Sequence, residues 1–371
     1  MSAAAWAEVS LAAVAANVET LARICAPAEV CAVVKAGGYG HGAVPVARTA
    51  LEAGATWLAV AQVTEATALR TAGVAAPILL LSEPRPGELQ EALAARVAIT
   101  AYTPDLLRRL GAAGRGGPPV SVHLKVDTGM RRVGAAPADV VTLAGIITAD
   151  PDLELAAVWT HCAVADDPDD PFTDGQLERF DAVVAAMESA GIRVPMRHAA
   201  NSAAAIAHPA SRYDLVRCGI AVYGIPPSPA LADRVALEPA LRLATQVSFV
   251  KPVAAGEGIS YGLRHHVAAD TVVATLPIGY ADGVFRALGA ARQEVLINGR
   301  RHPMVGTVTM DQVMVDVGPG GGVRAGDEAV RLGSQGAERI SPDEWAARLG
   351  TISYEVVCAL GARVERRYGD P

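Results

Sequence analysis

The chain has 371 residues and a formal net charge of −7, with 51% hydrophobic but only 4% aromatic residues. That length fits two domains better than one, the acidic balance argues against a nucleic-acid or anionic-membrane surface, and the core has to be built from Val, Leu, Ile and Ala. Five scattered cysteines (Cys25, Cys31, Cys162, Cys218, Cys358) show no metal-ligand spacing and read as reduced thiols of a cytoplasmic protein.

Residues 1–8 lack a basic start and a long apolar stretch, so no signal peptide is expected, and no apolar run approaches the ~20 residues of a membrane span. Ser10 can cap a helix that carries Leu11, Val14, Val18 and Leu21 at helical spacing. Short β-like apolar runs follow at 30–35, 57–61, 77–81, 96–100, 120–126, 153–161, 197–201 and 214–217. Helix-length segments such as 104–110 and 176–189 lie between most of them, with a Gly/Pro linker at 112–119 and an acidic surface loop at 166–174. Repeated β-α units with strands this apolar predict a parallel sheet buried on both faces, and their number suggests an α/β fold of the (β/α)8 TIM barrel type. Beyond about residue 239 the runs at 243–250, 271–276, 294–297, 313–317 and 328–332 are short and separated by Gly, Pro and Asn turns. They predict a mainly β C-terminal domain, with one helix opened by the Ser341-Pro342-x-Glu344 capping pattern and ending near Gly350. The expected division is a barrel over 9–238 and a β domain over 239–371, which residues 1–8 join.

In such barrels the chemistry sits at the C-terminal strand ends. Lys35, Lys125 with Asp127, His161, Asn201 with Ser202, and Arg217 all fall at or just after those ends. Lysine is scarce in this chain, which singles out Lys35 and Lys125. Lys35 ends an apolar run and precedes the glycine-rich turn Gly37-Gly38-Tyr39-Gly40-His41-Gly42. It reads either as a surface lysine beside a flexible turn or as an amine placed to bond an aldehyde cofactor, with Tyr39 in reach of a phosphate. Ser202 reads as a simple helix cap or, with the first N–H groups of its helix, as an anion pocket. Arg217, followed by Cys218-Gly219-Ile220, reads as half of a salt bridge or as a donor to a ring nitrogen or a carboxylate. Arg132 offers a planar fork suited to a substrate carboxylate. In the second domain the outstanding turns are Ile259-Ser260-Tyr261-Gly262 and the stretch from Gly306 to Gln312.

Taken together, the motifs A-V-V-K-A-x-x-Y-G-H-G, H-L-K-V-D-T-G-M-x-R, T-H-C, A-N-S-A-A, V-R-C-G-I-A-V-Y-G, I-S-Y-G, I-G-Y-A-D-G, M-D-Q and a late Y-E-V resemble alanine racemase, and they appear in that family's order over almost the whole chain. The resemblance implies a pyridoxal 5′-phosphate enzyme, a homodimer with shared active sites, and an amino-acid substrate. It makes Lys35 the Schiff-base lysine and one catalytic base, and Tyr261, entering the site of the other subunit, the second base. It implies phosphate ligands at Tyr39, Ser202, the backbone of Gly219 and Ile220, and Tyr354, with His161, Asn201 and Arg217 around the cofactor and Arg217 facing its ring nitrogen. It places Arg132, Met310, Asp311 and Tyr280 around the substrate, with Lys125 carbamylated to hold Arg132. The implied reaction is interconversion of L- and D-alanine, supplying D-alanine for peptidoglycan; serine or another small amino acid, and a decarboxylase of the same fold, are the alternatives. Gly37-Gly38, Arg131 and Thr309 depart from the commonest family pattern and touch loop rigidity and pocket lining.

Overall fold

The computed structural model describes residues 4–320 and 322–369, and the chain divides into two compact units. One comprises residues 13–38 and 43–238; the other comprises residues 4–12, 39–42 and 239–369.

The first unit is a barrel of parallel strands: β1 (Glu29–Val33), β2 (Trp57–Val60), β3 (Ile78–Leu80), β4 (Ala98–Ala101), β5 (Val120–Lys125), β6 (Leu153–Trp159), β7 (Arg197–His198) and β8 (Leu215–Cys218). They form one eight-stranded sheet in the order β7-β6-β5-β4-β3-β2-β1-β8. The ring closes through backbone bonds from Asp214 N to Arg197 O and from Arg217 N to Ala200 O, both 3.0 Å, rather than through a full ladder. Helices α1 (Leu11–Cys25), α2 (Ala43–Glu52), α3 (Val63–Thr71), α4 (Leu89–Ala94), α5 (Pro104–Gly114), α6 (Val140–Ala149), α7 (Phe172–Ser189) and α8 (Ser202–Ala207) alternate with the strands. Strands buried on both faces explain the unbroken Val/Leu/Ile/Ala runs. Two helices exceed the expected spans: α5 continues through Gly114, and α7 starts at Phe172, taking Asp174 into its first turn.

The second unit is built on a ten-stranded sheet. Its path runs Phe249–Val253, Thr271–Leu276, Val313–Asp316, Arg300–Val305, Glu294–Ile297, Glu328–Gln335, Leu241–Gln246, Ala5–Val9 and Glu365–Tyr368, with Glu338–Ile340 paired to Glu328–Gln335. Every pairing on that sheet is antiparallel except Ala5–Val9 with Glu365–Tyr368. The expected single strand over 243–250 is two strands, because the chain changes neighbours after Gln246: Leu241–Gln246 pairs Ala5–Val9, whereas Phe249 pairs Thr275. Helix Pro342–Leu349 has the expected cap, Ser341 Oγ accepting from Glu344 N at 3.2 Å, and Gly350 stops it in the left-handed region. A further short helix, Ser353–Cys358, carries Tyr354.

Candidate active site

The C-terminal ends of the barrel strands gather Lys35, Lys125, His161, Asn201, Ser202, Arg217 and Gly219 on one face. Lys35 follows β1 and opens a left-handed turn: Ala36, Gly37, Gly38 and Tyr39 all have positive φ. At Gly38 a Cβ would lie 3.1 Å from Ala43 Cα, a tight contact that adds to the positive φ in favouring glycine. Ala36 has no such freedom, and its φ of 53° is held by a side chain the motifs did not single out. Glu65, in the first turn of α3, accepts from Ala36 N (2.6 Å) with one oxygen and from Ala61 N (2.9 Å) and Gln62 N (3.1 Å) with the other. One carboxylate thus ties the turn after β1 to the loop after β2.

Arg217, fully enclosed on β8, has no carboxylate partner among the described residues, which removes the salt-bridge reading. Its guanidinium reaches Thr160 O and Ala199 O, both at 2.9 Å, His161 Nδ1 at 3.1 Å and His198 Nδ1 at 2.7 Å. A guanidinium only donates, so His198 Nδ1 accepts and the imidazole proton sits on Nε2. That N–H faces His123 Nδ1 at 3.0 Å. Burial and then the charge of Arg217 hold His161 and His198 well below the usual histidine range and bring His123 down to about 3, so all three are neutral. Burial brings Arg217 down to about 10, which leaves it charged at neutral pH.

Trp159, at the end of β6, lies between two cations: Lys125 Nζ is 4.3 Å and Arg217 Cζ 4.5 Å from its ring centroid. Burial, then Arg217 and Arg132, push the Lys125 amine down to about 7. Asp127 accepts from Gly129 N (2.9 Å) and Arg131 N (3.1 Å) and so shapes the loop that presents the exposed Arg132.

Asn201 caps α8, its Oδ1 accepting from Ala204 N at 3.0 Å, and its amide donates to Cys162 O at 3.2 Å. Ser202 Oγ accepts from Gly219 N at 2.8 Å, which joins the α8 end to the Gly219-Ile220 turn. The first turn of α8 and the Gly219-Ile220 turn are therefore tied together at Ser202.

In the second unit Tyr39 and Tyr354 face each other with ring centroids 6.3 Å apart, and burial pushes the Tyr39 phenol up. Arg366 Nε donates to Gly40 O at 3.0 Å and anchors that segment. Tyr280 N and Ala281 N donate to Thr309 O and Met310 O, both at 3.0 Å, so Tyr280 and Met310 are neighbours. Gly279 allows this approach, since a Cβ there would fall on the Met310 carbonyl. Asp311 pairs with Arg363 at 2.8 Å. Tyr261 is 75% exposed on a turn fixed by Ser260 Oγ to Thr307 O (2.7 Å) and Thr307 Oγ1 to Tyr261 O (2.9 Å).

The geometry defines a (β/α)8 barrel whose C-terminal face carries a lysine on a constrained turn, a serine hydroxyl bonded to the Gly219 N–H and a buried guanidinium without an acid among the described residues, accompanied by a β unit with exposed tyrosines. The family profile described as "Alanine racemase, N-terminal domain" matches residues 9–227, and "Alanine racemase, C-terminal domain" matches residues 240–368. The alanine racemase of Symbiobacterium thermophilum is 49% identical over 365 residues, 98% of this chain and 97% of that protein. The alanine racemase from D-cycloserine-producing Streptomyces lavendulae superposes with a TM-score of 0.94 at 38% identity, covering 100% of this chain and 98% of the other. That from Bacillus anthracis, solved with bound L-Ala-P, gives 0.94 at 38% identity over 100% and 96%. The chain belongs to the alanine racemase family.

Proposed function

We propose that this protein interconverts L- and D-alanine with the help of pyridoxal 5′-phosphate, removing and returning the Cα proton on opposite faces. The observation that carries this reading is the cationic, carboxylate-free setting of Arg217 at the mouth of the barrel, in a chain of this family. The donor set fits the cofactor. Ser202 Oγ accepts from the Gly219 N–H, which leaves its own hydroxyl proton to donate to a phosphate oxygen, with the Ile220 backbone, Tyr39 and Tyr354 as further ligands. The Lys35 amine would bond the aldehyde, Arg217 would donate to the ring nitrogen, and His161 and Asn201 would complete the surroundings. When bound, the cofactor supplies an electron sink for the negative charge left on Cα.

The chain's own residues do the rest. Arg132 pairs with the substrate carboxylate through its planar fork. Lys35 takes the Cα proton from the D-enantiomer and returns it to make that enantiomer; Tyr261 of the partner subunit does the same for the L-enantiomer. Arg217 keeps its own protons, so it withholds one from the ring nitrogen and favours return of the proton to Cα over side reactions. Tyr280, Met310 and Asp311 narrow the space around the methyl group. Lys125 is the proposed carbamate: its neutral amine attacks carbon dioxide, an N–C bond forms, and a proton leaves to solvent. The resulting anion offsets Arg132 and Arg217, which otherwise only repel the ammonium.

The proposed assembly is a homodimer with two shared sites in the cytoplasm, with a cofactor-holding barrel over 9–238 and a β domain over 239–371 joined by residues 1–8. No helix among the described residues is long and apolar enough to cross a membrane. D-Alanine for peptidoglycan is the proposed use of the product. Incubating the cofactor-loaded protein with L-alanine while following D-alanine and carbon dioxide tests the reading. Accumulation of D-alanine without carbon dioxide is expected; carbon dioxide release without D-alanine would overturn it in favour of a decarboxylase.

A further inference from the structure

A cavity of about 810 Å³ opens at the N-terminal ends of β2 to β5, on the barrel face opposite Lys35 and Arg217. That volume is in the range of small-molecule sites. Its walls include Trp57, Pro77, Leu93, Val97, Pro118 and Val120, and no carboxylate among the described residues lines it. The charged groups that do line it are all guanidinium groups, those of Arg70, Arg96 and Arg115.

Arg70 is a strut. Its Nε donates to Ala95 O (2.8 Å), its Nη1 to Val74 O and Ala76 O (both 2.7 Å), and its Nη2 to Arg96 O (3.2 Å). Those bonds fix the loops that lead into β3 and β4 and leave the charge of Arg70 without an acid. Arg96 is held in the left-handed region at φ 49°, a strained placement for a residue with a side chain. Its exposed side chain has no hydrogen-bond or ion-pair partner among the described residues. Burial and then the neighbouring charge of Arg96 push the Arg70 pKa down, as expected for two guanidinium groups on one stretch of the wall. An anion in the cavity offsets those charges. Gly116, Gly117, Pro118 and Pro119, in the exposed loop before β5, line the same cavity.

We propose that this cavity is a binding site for a small amphipathic carboxylate. Its apolar body lies against Trp57 and the proline rim, and its carboxylate pairs with Arg96. Of the two exposed guanidinium groups, Arg96 and Arg115, Arg96 is the one beside Arg70, and the apolar wall suits a planar carboxylate on an apolar body better than a fully hydrated, multiply charged phosphate. The inference rests on the cavity and not on the racemase reading.

The test is calorimetric titration of the cofactor-loaded protein with phenylacetate, in saturating alanine so that the racemase site is filled. Saturable binding of one phenylacetate per protomer is expected. Arg96→Ala should weaken it at least ~10-fold, the scale of one charge-assisted hydrogen bond. Pro118→Trp, which fills the rim from an exposed loop position, should abolish it, and neutral 2-phenylethanol should bind at least ~10-fold more weakly. Absence of saturable binding, or equal binding to the Arg96→Ala protein, would overturn the site. Equal binding of 2-phenylethanol would overturn the carboxylate assignment.

Discussion

Glu65→Ala tests how the turn that carries Lys35 is held. Ala36 at φ 53°, ψ 48° costs an L-residue about 1–2 kcal/mol relative to the right-handed region. Against this, the Glu65 carboxylate accepts the Ala36 N–H at 2.6 Å while its other oxygen accepts from Ala61 and Gln62. A hydrogen bond to a charged group contributes about 1.5–3 kcal/mol, and these N–H groups can reach water, so the lower end applies. Removing the carboxylate therefore takes away about what offsets the strain at Ala36, and the turn relaxes. Displacing the reacting amine by about 1 Å costs on the order of 10²-fold in rate. The expected result is a fall in kcat/KM of about 10- to 100-fold in alanine racemisation, followed by circular dichroism, with only about 1.5 kcal/mol lost in denaturant unfolding. Glu65→Gln keeps one acceptor and should fall between the two. Wild-type kcat/KM in Glu65→Ala, with the stability loss present, would refute the idea that this carboxylate positions Lys35.

Replacing Arg217 with Glu should favour protonation of the ring nitrogen and raise transamination relative to racemisation, read as pyruvate formed per inversion; an unchanged ratio would count against the proposed role of the guanidinium. Tyr261→Phe should nearly abolish inversion while leaving α-hydrogen exchange on D-alanine through Lys35, which proton NMR in deuterated water separates. Mixing Lys35→Ala with Tyr261→Phe protomers should restore activity, since one of the two sites in a mixed dimer then holds both bases; verified mixed dimers without activity would contradict a shared site. For Lys125 the folded amine titrates at about 7, below the usual lysine value. Between about pH 7 and ~10 the unfolded chain then binds more protons, so stability of bicarbonate-free protein should rise with pH across that window. Lys125→Met should flatten that rise in urea unfolding measured at several pH values, and a mass gain of one carbon dioxide in bicarbonate should disappear in the same variant.

Much of the barrel could be read from the chain because both-face burial writes itself as unbroken apolar runs, and the polar residue that ends a run marks the C-terminal face of the barrel. Lys35, Lys125, Ser202 and Arg217 were legible in that way. The strand Arg300–Val305 was not, because Arg300, Arg301, His302 and Pro303 hide its pairing with Glu294–Ile297. Nor was Glu365–Tyr368, a charged strand at the sheet edge, where side chains face water and carry no hydrophobic signal. Glu65 reads locally as an ordinary acidic residue in a first helical turn; its bond to Ala36 spans 29 positions and exists only once β1 and β2 are side by side. The His123–His198–Arg217 chain is similar: each histidine looks like a lone polar residue within an apolar strand, and the parallel ladders bring their rings together. Arg217 had two readings in sequence, and the surroundings of its guanidinium, neutral histidines and carbonyls without a carboxylate, separate them.

The most direct test of the two-base account is to incubate the cofactor-loaded protein with D-alanine in deuterated water and read chirality and α-deuterium together. The account predicts loss of optical purity with deuterium at Cα of the L-alanine formed, because a different base, in exchange with solvent, delivers the proton on the second face. Inversion that carries the original hydrogen across would contradict two separate bases, and exchange without any inversion would contradict racemisation itself.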